Sequence, residues 1–316
     1  MEIREAKETD IPEIVEVLKA SLGEAEIQLS EDVWSYKHLI NPFGKSLVLI
    51  AHEEGGIIGV RAFMRWQWRS KEKIFNAFRA VDTATHPNHQ GKGVFKKLTL
   101  AAVELAKKNG DHFVFNTPND QSRPGYLKMG WEAVDNVVVS LQPAYKSFWK
   151  IKPKKIAYEV HLDGTPKDLE RLCEIWNTNL MESKKLFTSK TPHYLKWRYQ
   201  NNPLQEYEVL FKKHFYLAGY IKNRGKIREL RISECIYNGD KGTASLIQKT
   251  VSSWASKFSV QLISFSPKVA GLKYPAKKGN YGPVLTLKDL NLQLSELNVY
   301  KNIENWNYSL GDLELF

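Results

Sequence analysis

Residues 86–98, HPNHQGKGVFKKL, place two glycines and a lysine where an extended segment gives way to a helical pattern. The first N–H groups of a helix have no partner within it, and the helix dipole adds partial positive charge at that end. A turn that aims successive amides at one point makes an anion nest, and glycine lets a phosphate come close to the backbone. Gln90-Gly91-Lys92-Gly93-Val94 meets that description. Two other phosphate loops do not fit. A Walker A loop needs Ser or Thr after its lysine, where Gly93 stands, and the fingerprint G-x-G-x-x-G fails at Lys96.

Titratable groups flank this turn. Asp82 lies on the strand before it, where it could take a proton from an amine directly or through water, or simply pair with Arg79 or Lys92. His86 and His89 bracket Pro87 and could titrate near neutrality, or supply loop polarity alone. Arg61, Arg65 and Arg69 alternate with aromatic residues in RAFMRWQWRS, which suits either a groove for an acceptor or a half-exposed strand. Glu53 and Glu54 sit at a hairpin tip and read as solvated. The two cysteines, Cys173 and Cys235, make no disulfide framework and lack metal-ligand spacing. No metal is therefore expected, and a reducing, cytoplasmic setting is.

Read with His86-Pro87 before it and Asn119 through Trp131 after it, the turn resembles the GNAT superfamily of N-acetyltransferases. In that family a hydrophobic-x-Pro step ends a strand, and Gln/Arg-x-x-Gly-x-Gly/Ala opens a helix whose amides hold the pyrophosphate of acetyl-CoA. Gln90, Gly93 and Phe95 occupy the marked positions. Phe95 departs from the small residue of the pattern, so its side chain must point away from the ligand. A later family motif places Tyr seven residues after Asn, and Gly-aromatic from four residues after that. Asn119, Tyr126, Gly130 and Trp131 reproduce it.

The resemblance implies that acetyl-CoA is the acyl donor and that Gln90, Gly91, Lys92, Gly93, Val94, Phe95 and Asn119 contact it. Thr83 and Thr85 would contribute main-chain pairing to the pantetheine, like an added strand. Tyr126 would be the general acid for the leaving thiolate, and Asp82 a candidate base. Asn119 could instead cap the turn that follows it. Trp34-Ser35-Tyr36 leading to Asn41-Pro42 is matched by Trp197-Arg198-Tyr199 leading to Asn202-Pro203. That signature is similar to tandem-GNAT bacterial proteins of unassigned substrate, over most of the chain.

The elements that must carry these residues follow from periodicity and caps. A helix over 8–21 has Thr9 or Asp10 as cap, Pro12 in its first turn, and Ile11, Ile14, Val15, Val17 and Leu18 on one side. A second helix holds Trp34 and Tyr36 and stops at Asn41-Pro42. A hairpin turning at Glu53–Gly56, a strand over 74–85, a helix from about Val94 to Asn109 closed by Gly110, and the strand HFVFNTP come next. SRPGYLKMG is a short helix, and WEAVDNVVVSLQP reads as one last strand. The second half repeats that order.

The fold class expected is α/β (α+β): two tandem GNAT-like domains, each a mixed, mostly antiparallel sheet flanked by helices. Residues 1–150 form the acyl-CoA domain, 151–155 a linker, and 156–316 a degenerate second copy. Its matching turn, Asn238-Gly239-Asp240-Lys241-Gly242, lacks the spacing, and Asp240 would repel a pyrophosphate. No cofactor site is expected there.

Charge and composition bound the partners. Residues 1–150 hold 20 Lys and Arg against 19 Asp and Glu, and residues 151–316 hold 26 against 16. Nearly all of the net charge of +11 therefore lies in the second half, as a solvated basic face or as a surface for an acidic partner. No apolar run approaches the ~20 residues that span a bilayer, and the N-terminus lacks the pattern of a secretory signal. No helix-turn-helix or zinc-finger signature points to DNA. The acceptor expected is a small-molecule or saccharide amine, anionic if the basic half bears on it. Two alternatives stand beside acyl transfer from acetyl-CoA. One is aminoacyl transfer from charged tRNA, as in the peptidoglycan-bridge transferases that also use two GNAT-like copies. The other is a non-catalytic acyl-CoA sensor.

Overall fold

A computed structural model describes residues 1–23, 29–147, 155–268, 272 and 277–313. Its elements begin with β1 (Glu2–Glu5), α1 (Ile11–Leu22), α2 (Glu31–His38), β2 (Leu47–Glu53), β3 (Gly56–Ser70), β4 (Lys73–Thr85) and α3 (Val94–Lys108). Next come β5 (Phe113–Asn116), α4 (Arg123–Lys128), β6 (Glu132–Asn136), β7 (Val139–Pro143), β8 (Val160–Asp163), α5 (Pro166–Glu182), β9 (Leu186–Phe187) and α6 (Pro192–Leu195). The remainder are β10 (Glu208–Lys212), β11 (Phe215–Arg224), β12 (Ile227–Tyr237), α7 (Lys241–Lys257), β13 (Leu262–Phe265), β14 (Lys277–Gly279), β15 (Val284–Asp289), α8 (Leu294–Tyr300), β16 (Trp306–Asn307) and α9 (Leu310–Leu313). No described helix is long and apolar enough to cross a membrane.

The chain is mixed α/β, with two sheets flanked by helices. It divides into two compact units: Met1–Trp68 with Lys73–Asp135 and Val284–Ile303, and Arg69–Glu72 with Asn136–Pro283 and Glu304–Phe316. These are not the contiguous halves expected from the sequence. The run read as a single last strand breaks after Asn136, giving β6 to the first unit's sheet and β7 to the second's. In return β15, from far along the chain, enters the first unit's sheet between β5 and β6. The linker expected at 151–155 lies, but for Lys155, outside the described residues.

In the first unit the strand order is β1-β2-β3-β4-β5-β15-β6. β1, β2 and β3 pair antiparallel, β4 and β5 parallel, and β15 antiparallel to β5. Strand alternation sends neighbours to opposite faces. Leu49 therefore packs with the α3 residues Val94, Leu98 and Ala102, whereas Ile50 packs with the α1 residues Ile14, Val15 and Leu18. Ala80 and Ala84 share parity, yet Ala80 joins the α3 layer and Ala84 the α1 layer. The intervening Asp82 explains it: its φ of 39° is left-handed and turns the strand over. At Gly59, a Cβ would stand 2.7 Å from Val94 Cγ1, so the start of α3 rests directly on the β3 backbone.

The second unit's sheet runs β14-β7-β13-β12-β11-β10-β8. Its antiparallel hairpin β10–β11, long strand β12, helix α7 and parallel strand β13 repeat the plan of β2–β3, β4, α3 and β5. The shared Asn-Pro signature folds alike in both units. Asn41 Nδ2 donates to the Lys37 carbonyl and its Oδ1 accepts from the Phe43 amide. Asn202 does the same with the Arg198 carbonyl and the Leu204 amide.

Candidate functional site

The turn before α3 is a short 3-10 stretch, Pro87–His89, followed by Gln90 and the two glycines. Gly91 and Gly93 are left-handed, with φ of 77° and 75°, and a Cβ at either would meet open space. Their glycine identity answers to the backbone conformation rather than to crowding. Gly93 caps α3 without any side-chain bond, and the first turn carries no acidic residue. Among the described residues, no protein acceptor takes the amides of Gly91, Lys92, Gly93, Val94, Phe95 or Lys96. The first helix-closing bond here is from the Lys97 amide to the Gly93 carbonyl, at 3.1 Å. Gln90 differs from the other turn residues. Its amide leans on the Pro87 carbonyl at 3.3 Å, and its side chain folds back to the Thr85 carbonyl at 3.4 Å.

β4 supplies the second wall. It pairs in register with β5 only over Ala77–Arg79 and then continues to Thr85 with β3 as its neighbour, so β4 and β5 part where Thr83 and Thr85 lie. Phe95 turns its ring edge-on to Tyr126 at 5.8 Å and against the core, away from the glycine turn. Tyr126, on α4, is 6% exposed, and its hydroxyl accepts from Arg61 Nη1 at 2.8 Å. The same Nη1 reaches the Thr83 hydroxyl. Arg61 thus ties the parted strand to the tyrosine. Asn119 caps the turn that follows it: its Oδ1 accepts from the Ser122 amide at 2.9 Å and the Ser122 hydroxyl at 2.8 Å.

Asp82 pairs with neither Arg79 nor Lys92. Its carboxylate accepts from His38 Nε2 at 2.8 Å and from Lys37 Nζ. Burial pushes the Asp82 carboxyl up, but the Lys37 charge and the His38 bond outweigh it and hold it well below the carboxylate range. Burial likewise keeps His38 below its ordinary value, so the ring is neutral. Because ionised Asp82 only accepts, Nε2 carries the ring proton, and Nδ1 accepts from the Ser46 hydroxyl at 2.8 Å. His38 and Ser46 face a cavity of about 300 Å³ that Trp34, Ile11, Ile14 and Val48 also line. Sequence reasoning passed over His38, since its partners come from β4 and the lead-in to β2.

The arginines of β3 line no common groove. Arg61 is wholly buried, Arg65 pairs with Asp111 and lies 3.9 Å over the Phe78 ring, and Arg69 pairs with Glu72. His86 accepts from the Asn88 amide and His89 faces Glu53 at 3.4 Å, which is loop polarity.

The corresponding turn of the second unit is closed by its own chain. Asp240 caps α7, its carboxylate accepting from the Thr243 amide at 2.8 Å. Glu234 stands three residues before the end of β12, as Asp82 does on β4, and is fully enclosed. Lys190 Nζ lies 2.7 Å from both Glu234 and Asp312. The described residues of the whole chain gather no group of three His, Cys, Asp or Glu suited to a metal.

The profile of an acetyltransferase (GNAT) domain matches residues 2–134. No curated protein sequence matches the chain. Among solved structures it is similar to a probable N-acyltransferase from Enterococcus faecalis, with a TM-score of 0.66 and 12% identity over 92% of this chain and 73% of that one. A GCN5-related N-acetyltransferase from Anabaena variabilis gives 0.61 and 13% over the same shares. The N-myristoyltransferase of Saccharomyces cerevisiae, solved with bound myristoyl-CoA, gives 0.53 and 8% over 92% and 79%. At these identities the likeness is one of fold.

Proposed function

We propose that residues 2–134, which the GNAT acetyltransferase profile matches, are an acyltransferase domain of that family, and that the protein moves an acyl group from acetyl-CoA to a primary amine by direct attack in a ternary complex. The observation that carries this reading is the run of amides from Gly91 to Lys96 with no acceptor among the described residues, at the start of a helix whose first turn holds no carboxylate. That is the donor set a diphosphate requires. The parted stretch of β4 would pair with the pantetheine, and Tyr126 would give its proton to the leaving sulfur. Ionised Asp82 already accepts from Lys37 and His38 and so orients the His38 ring. The neutral imidazole, taking the amine proton through the Ser46 hydroxyl that donates to its Nδ1, matches the proton-accepting task better than so acidic a carboxyl.

The closed turn at Asp240 supports a single acyl-CoA site, in the first unit. The basic second half favours a small or saccharide acceptor that carries negative charge. The free amides also favour acyl-CoA over charged tRNA as donor.

Thermal unfolding with acetyl-CoA and with its dephospho and des-acetyl relatives tests this reading. A ligand of the folded state adds ~2.7 kcal/mol at a hundredfold excess over Kd. The expected result is such stabilisation, together with thiol release that depends on an added amine. Stabilisation without thiol release on any amine would make the protein a sensor. Steeply salt-dependent binding of tRNA with none of acetyl-CoA would favour aminoacyl transfer.

A further inference from the structure

Arg61 stands on β3 with no exposed surface. Its Nη1 serves the hydroxyls of Tyr126 and Thr83, while Nε and Nη2 are buried without a hydrogen-bond partner among the described residues. The rings of Phe63, Phe95 and Tyr126 surround the guanidinium carbon at 4.8, 5.9 and 5.3 Å from their centroids. No carboxylate is among these partners. A buried cation without a counter-charge is expensive to keep.

A guanidinium only donates and stays charged. The bond to Tyr126 therefore runs one way: the phenol oxygen accepts, and its own hydrogen is left for another acceptor. Among the described residues no protein group takes it. A buried O–H without an acceptor and a buried cation without an anion are thus joined by one hydrogen bond. An electron-rich acceptor for the phenol hydrogen would satisfy that O–H and bring negative charge toward the guanidinium. On the reading that this acceptor is the leaving sulfur of coenzyme A, we propose that Arg61 is the positioning residue that commits Tyr126 to donate to it.

In the step, the amine nitrogen bonds to the acyl carbon and the C–S bond breaks. Its electron pair goes to sulfur, which takes the Tyr126 proton. Arg61 holds the resulting phenolate until the proton released by the amine restores the phenol. The net change is thioester and amine to amide and thiol.

This rests on the acyl-CoA reading of the first unit, and coenzyme A itself is the probe, since its thiol needs no acceptor amine. Thiolate absorbance of bound coenzyme A is titrated against pH in the wild type, Arg61→Met and Tyr126→Phe. In the wild type the bound thiol should ionise at least about one pH unit below the free thiol, a tenfold preference for thiolate. Arg61→Met and Tyr126→Phe should each return it toward the free value while coenzyme A still binds. A titration that Arg61→Met leaves unmoved, or a loss of affinity with the titration unchanged, would overturn the assignment and make Arg61 a packing residue. If Arg61→Met does not fold, Tyr126→Phe decides alone, since an unmoved titration there is equally fatal. A wild-type protein that does not bind coenzyme A defeats the acyl-CoA reading. One that binds it with an unshifted thiol defeats this inference only.

Discussion

Single residues carry the chemistry, and Gly93 is the plainest case. Its left-handed φ of 75° and the open space beside it let an aspartate enter with backbone strain but no clash. Gly93→Asp should therefore fold, put a carboxylate among the free amides, and abolish stabilisation by acetyl-CoA in a thermal shift. Tyr126→Phe should keep that stabilisation, since the diphosphate does not touch the phenol, and lower kcat by roughly 10²-fold, as removal of a general acid does. Unchanged turnover in Tyr126→Phe would remove the tyrosine from the acid's role. Part of this scale was legible in the sequence: the glycine pair follows from residue type and spacing, and Phe95 turns away from the glycine turn, as the resemblance requires, by packing against the core. Arg61 was visible only as one of three alternating arginines. Nothing in RAFMRWQWRS distinguishes the wholly buried Arg61 from the ion-paired Arg65, because both point to the same face and only the partners opposite them differ.

Elements decide what those residues meet. The contrast between α3 and α7 lies in one capping position: Gly93 leaves its helix amides unmet, whereas Asp240 satisfies the Thr243 amide at α7. Helix caps are local, so both could be read from the sequence, as could the buried stripe of α1. The pairing of α2 with β4 could not, because His38 and Asp82 are brought together by packing across the sheet. That pairing has a pH consequence. Both groups titrate below their ordinary values of 6.5 and 3.8 in the folded chain, so the unfolded chain binds more protons as pH falls. The stability they contribute is present above pH 6.5 and declines on acidification, first through His38 and then, below 3.8, through Asp82. His38→Gln, which titrates nowhere in that range, should flatten the first part of the decline in a plot of Tm against pH. It should also lower kcat more than it raises KM for the amine if the ring is the proton acceptor.

At the scale of the whole molecule, the chain's course overrides the linear domain plan. Alternation tells which face of a strand is apolar but not which sheet it joins, and so β7 and β15 were not assignable from the sequence. A fragment ending at residue 150 would lack β15, whose Thr286–Asp289 pair with Asn116–Phe113, and with it α8. Expressed alone, that fragment should show no cooperative unfolding transition and no response to acetyl-CoA, although it contains every residue of the proposed diphosphate site. A cooperative, acetyl-CoA-responsive fragment would instead restore the boundary read at 151–155. Whether the α3 amides receive the diphosphate of a coenzyme A thioester is decided by a crystal structure of the full chain with coenzyme A. Phosphate oxygens are expected within hydrogen-bond distance of the amides between Gly91 and Lys96, with the sulfur at the Tyr126 hydroxyl. Coenzyme A lodged in the second unit, with the α3 turn untouched, would contradict that expectation.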